Sequence, residues 1–238
     1  MLGRVRRSFS DRRIGVVASL AILSLFVLAM IVFRIMYTRN PEHAAIAWNL
    51  LLAWIPFALA LIVYERARSG GVSIPALASL GMLWLLFLPN APYLVTDLKY
   101  VGRSGGVPVL YDVILLSAAA WTGLLLGLTS LFLMHAVARR LIGTVTAWAI
   151  VVGVIASSSF GIYLGRVQRW NSWDVFVRPG SILGEIGNGL VHPLSHPRPI
   201  AVTVLFTSFL LSSYLVFYSF ARMSSLVARN PRSSGDCS

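Results

Sequence analysis

Six stretches of this sequence are apolar and long enough to cross a lipid bilayer, and that narrows the available folds more than any other feature. A helix needs about 20 mostly apolar residues to span a hydrocarbon core of ~30 Å. The stretches run approximately over 14–36, 44–64, 74–89, 113–134, 144–164 and 200–221. Every backbone polar group at membrane depth must be satisfied without water, and continuous apolar runs of this length do that as helices. The connections are too short for a separate core, so the expected fold is an all-α membrane protein, a bundle of six transmembrane helices in one domain over 1–238.

Composition supports this. The chain is 57% hydrophobic and only 12% charged, against roughly 25% charged in soluble domains. Its net charge of +12 comes from arginines dispersed among short loops, without the single basic face that nucleic acid requires. The one cysteine, Cys237, excludes disulfide frameworks, CxxC redox pairs and cysteine zinc sites. Arg4, Arg6, Arg7, Arg12 and Arg13 precede the first apolar run as in a signal peptide. That run is too long for a signal core and no A-x-A site follows, so an uncleaved first span is expected.

Basic residues in short loops set orientation. The side holding both termini has 12 of them, five, two, two and three in its four segments, and the other side has eight. Both termini are therefore expected in the cytoplasm. The opposite, outer side also holds Glu42, Asp97, Asp112, Asp174 and Glu185. No internal repeat of the kind common in transporters is visible.

Small residues at four-residue spacing mark close helix approaches. Gly153, Ser157, Gly161 and Gly165 form such a stripe on span five, and Ala119, Gly123 and Gly127 another on span four. The expectation is a seam between these two spans, or between protomers of a homo-oligomer. Ser157, Ser158 and Ser159 lack a histidine base within any span core, so backbone hydrogen bonding is the better reading for them. Haem ligation fails for the same lack of histidine, and no cofactor is expected.

Two polar stretches stand out. In "LFLPNAPYLVTDLKY", residues 86–100, Pro89 and Pro92 remove two amide donors and should break the third helix. Counting from Ile74 the chain has risen roughly 24 Å at Asn90, near the outer interface. Asn90 could then bond freed backbone groups or a ligand. In "YLGRVQRWNSWD", residues 163–174, a continuing helix would align Arg166, Trp170 and Asp174. Arginine forks beside tryptophan faces suit a phosphate or carboxylate at headgroup level. The candidate ligand-binding residues are Asn90, Tyr93, Asp97, Arg166, Arg169, Trp170, Asn171 and Asp174, with Arg166 paired to Asp97 or to a bound anion. The competing reading is an aromatic belt with snorkelling arginines, and helix caps for Asp97 and Asp112. His192 and His196 have metal-ligand spacing, but Pro193 and Pro197 oppose the helix it needs, and no metal is expected.

"LFLPNAPYLVTDL" and "GIYLGRVQRWNSWD", with six short-looped spans, resemble a family of bacterial membrane proteins known only as a domain of unknown function. The resemblance covers most of the chain from about span two onward. It implies an integral protein of the bacterial cytoplasmic membrane and supplies no catalytic residues. Four functions compete: an outer-face pocket binding a lipid headgroup or other anion, a hydrolase or transferase using Asp97 or Asp174 as base, a transporter, and an assembly partner.

Overall fold

The computed structural model describes residues 2–70, 73–103, 106–167 and 197–227. All regular elements among them are helical: α1 (Leu2–Thr38), a 3-10 turn (Pro41–His43), α2 (Ala44–Ser69), α3 (Ile74–Phe87), α4 (Asn90–Tyr93), a 3-10 segment (Leu94–Tyr100), α5 (Val109–Ile142), α6 (Thr144–Val167) and α7 (Pro197–Val227). Six helical stretches have the length and apolar character to cross a membrane: Arg13–Thr38, Pro41–Ser69, Ile74–Tyr100, Val109–Ile142, Thr144–Arg166 and Pro199–Met223. The protein is a multi-pass membrane protein. Its chain divides into two compact units, Met1–Val137 and Ala138–Ser238.

In the first unit the packing faces follow a repeat of alternating four and three residues. On α1 the buried positions are Leu20, Ser24, Val27, Ile31 and Arg34, and on α2 they are Ile46, Leu50, Ala53, Phe57, Ala60 and Val63, with Pro56 buried beside them. This period keeps one stripe of each helix against its neighbours. Ile22, Leu25, Phe33 and Trp48 lie off these stripes and are exposed, as lipid-facing side chains should be. Polar links cross the apolar seams. Ser24 Oγ donates to Leu20 O and accepts from Trp54 Nε1 on α2 at 3.1 Å. Trp84 Nε1 on α3 donates to Ser130 Oγ on α5 at 2.6 Å, and Ser130 donates onward to Pro56 O inside α2 at 3.0 Å.

The third span changes helical bonding where its prolines stand. Leu88 N bonds regularly to Trp84 O at 2.9 Å, and the next such bond in this stretch is Tyr93 N to Pro89 O at 3.1 Å. Pro89 and Pro92 have no N–H, and Ala91 N bonds to Leu88 O, three residues back, at 3.1 Å. Phe87 O, left without that partner, accepts from the Asn90 side chain at 3.0 Å, one of the roles expected of Asn90. Leu88, Pro89, Tyr93 and Leu94 all keep right-handed helical dihedrals. The chain therefore runs on in short helical pieces to Tyr100, well past the expected end at residue 89.

This irregular stretch packs on α5. A Cβ at Gly123 would lie 2.3 Å from Ala91 O and 2.6 Å from Leu94 Cδ1, and one at Gly127 would lie 3.2 Å from Ala91 Cβ. The small-residue face of α5 at these positions is thus filled by the third span. This corrects the expected pairing of Gly123 and Gly127 with span five: the freed carbonyls and prolines of 88–94 need close backbone approach, and glycine provides it.

In the second unit α6 packs along α7. Trp148 meets Tyr214 and Tyr218 with ring centroids 5.9 and 5.1 Å away, and Tyr214 is fully buried. Arg139, at the end of α5, donates to Tyr218 Oη at 2.9 Å. A Cβ at Gly153 would meet nothing within 4 Å.

Candidate functional site

Ionisable side chains concentrate in the first unit where α1 ends and α2 and α5 begin. Arg34, the last member of the buried α1 stripe, is 1% exposed, and Asp112 in the first turn of α5 is also 1% exposed. Arg34 Nε donates to Asp112 Oδ1 at 2.9 Å and Nη2 donates to Oδ2 at 3.0 Å, a bidentate fork. Gly102 N adds a bond to Oδ2 at 3.3 Å. Gly102 has φ +71, a left-handed conformation that glycine adopts without steric cost, and it turns the chain between the third span and α5. Asp112 was expected to cap α5. The helix instead starts at Val109, which places Asp112 inside it and leaves its carboxylate to the guanidinium.

Asp97 is buried at 2% exposure within the 3-10 segment and is no simple cap. Asn49 Nδ2 of α2 donates to its Oδ2 at 3.2 Å. His43, 3% exposed, stands at the start of α2 within electrostatic range of Arg34, Asp112, Glu42 and Asp97. Its Nε2 is enclosed without a hydrogen-bond partner among the described residues. Local chain geometry sets this up: Arg39 adopts φ 53 just after α1, and Asn40 Oδ1 accepts from Glu42 N at 3.0 Å. These two features bring the chain round into α2. Tyr111 Oη donates to Met30 O at 2.7 Å, a further tie between α5 and α1.

A carboxylate and a guanidinium buried in low dielectric are each costly alone, and the fork with its extra amide bond satisfies both. Arg34 therefore has little left to offer an anion. Among the described residues no three His, Cys, Asp or Glu side chains stand close enough to hold a metal ion.

Of the residues singled out from the sequence, Asn90, Tyr93 and Asp97 lie on the irregular third span of this unit. Asn90 is bonded to Phe87 O, Thr96 donates to Tyr93 O at 2.6 Å, and Asp97 meets Asn49. Arg166 belongs to the second unit, in the last turn of α6, with its Nε enclosed by protein. Arg169, Trp170, Asn171 and Asp174, like His192 and His196, lie outside the described residues. Sequence reasoning missed Arg34, His43, Asn49 and the true role of Asp112. A usable signal did exist: Arg34 falls on the three-and-four spacing of Leu20, Ser24, Val27 and Ile31.

No curated protein and no solved structure matches the chain. One family model does, over residues 48–229, a stretch that includes Asn49, Asp97, Asp112 and Arg166 and begins after Arg34 and His43. That match spans well over half of the sequence, and the chain belongs to the family described as "Protein of unknown function (DUF1361)".

Proposed function

We propose that this is a binding protein of the bacterial cytoplasmic membrane, with both termini in the cytoplasm, that holds an anionic ligand such as a lipid headgroup at its outer surface. The observation that carries this reading is Arg166: a half-buried guanidinium in the last turn of an apolar membrane-crossing helix. Ionisable groups within membrane segments are costly and are by default functional. Arg34 is committed to Asp112, and the residues we assign to the anion are Arg166 with Arg169, Trp170 and Asn171 after it in the sequence.

Native mass spectrometry of the purified protein tests the reading. Wild-type protein is expected to retain an anionic lipid that Arg166→Gln loses while remaining folded. An identical lipid profile in the variant counts against the proposal, and a retained metal ion would favour a hydrolase or transferase instead.

A further inference from the structure

The second unit carries a separate cationic feature at the other end of α6. Arg139 closes α5, Trp148 lies one turn into α6, and Tyr214, Tyr218 and Arg222 follow one another at four-residue steps on α7. Arg139 donates to Tyr218 Oη at 2.9 Å, and Arg222 stacks over the Tyr218 ring with 5.7 Å to its centroid. Tyr218 is thus shared by two guanidinium groups. No carboxylate among the described residues pairs with Arg139, and its Nε is enclosed without a hydrogen-bond partner. A half-buried guanidinium with an enclosed donor left over can be satisfied by an anion.

The surroundings identify which anion. Both arginines lie at the ends of membrane-crossing helices, where headgroups reside. Beside Arg222, the neighbouring face of α7 forms a shallow apolar groove lined by Leu215, Val216, Ser219, Phe220 and Met223. Leu215, Val216, Phe220 and Met223 are largely exposed. A free phosphate would use the arginines alone. A phospholipid would use both, with its phosphate on the forks and an acyl chain along the groove.

We infer that Arg139, Tyr218 and Arg222 form a binding site for the phosphate of an anionic phospholipid whose acyl chain lies along the α7 groove. This site is distinct from Arg166 and does not rest on the ligand proposed there. The Tyr218 hydroxyl positions the Arg139 fork, and the aromatic rings of Trp148 and Tyr214 hold Tyr218 in place.

The test is titration of the purified full-length protein in detergent with phosphatidylglycerol, phosphatidylcholine or inorganic phosphate, followed by thermal shift and by native mass spectrometry. Phosphatidylglycerol should raise the melting temperature more than phosphatidylcholine, and inorganic phosphate should have little effect. Arg139→Gln and Arg222→Gln should each weaken phosphatidylglycerol binding on the order of tenfold, as expected for losing a charge-assisted bond. Arg103→Gln, at an exposed arginine that belongs to neither proposed site, should leave this binding event intact. Arg222 is exposed, so its variant carries the test even if Arg139→Gln fails to fold. Equal stabilisation by the two lipids, or wild-type affinity in Arg222→Gln, would overturn the inference. An equally strong response to inorganic phosphate would overturn the lipid assignment.

Discussion

Arg34 grips Asp112 with two nearly parallel hydrogen bonds of 2.9 and 3.0 Å, joining the end of α1 to the start of α5. Removing one member of a buried pair leaves the other charge uncompensated, at a cost of about 3–5 kcal/mol. Asp112→Asn should therefore lower thermal stability in detergent severely. Arg34→Met combined with Asp112→Leu should recover most of the loss, because no charge is left stranded. A double variant as unstable as the single one would mean that the pair does more than neutralise itself.

Gly123 is the most closely approached of the described glycines, with Ala91 O 2.3 Å from where a Cβ would go. Gly123→Ala must push the third span away from α5, at a cost of about 1–3 kcal/mol by analogy with overpacked cores. Gly153→Ala, with nothing within 4 Å of its Cβ, is the control and should change stability by less than about 0.5 kcal/mol. Thermal unfolding of both variants in one detergent makes the comparison, and equal behaviour would argue against the close approach.

Ser130 relays between Trp84 and Pro56 O. Ser130→Ala should cost roughly 0.6–1.7 kcal/mol, the range for hydrogen bonds between membrane helices. Trp84→Phe should add little once Ser130 is gone. Additive losses in that double-mutant cycle would show that the two bonds are independent.

The proposed orientation has its own check. Reporter fusions after Arg140 and after Lys99 should report opposite compartments, with Arg140 cytoplasmic. The same compartment for both would refute it.

Much of this architecture was legible in the chain because it is written locally. Continuous apolar runs mark spans, and prolines at 89 and 92 mark where the third one lacks two amide donors. The side-chain amide of Asn90 was placed to repair that loss. What escaped was tertiary. Arg34 reads as one more loop-side charge until Asp112, 78 residues away, is seen beside it. Asp112 just before an apolar run looks like a cap because cap and ion-pair roles share the same local pattern. The glycines of α5 signalled a close neighbour without naming it, since spacing reveals a face and not its partner.

The distance along the chain between Arg34 and Asp112 has a consequence for biosynthesis. At ~5–20 residues per second, α1 emerges about 4–16 s before its counter-charge is made. Through that interval the guanidinium must stay at headgroup level, its aliphatic stem alone in the apolar phase. The buried pair can therefore form only when the fourth span arrives, so the packing of the first helix is completed by a residue translated long after it.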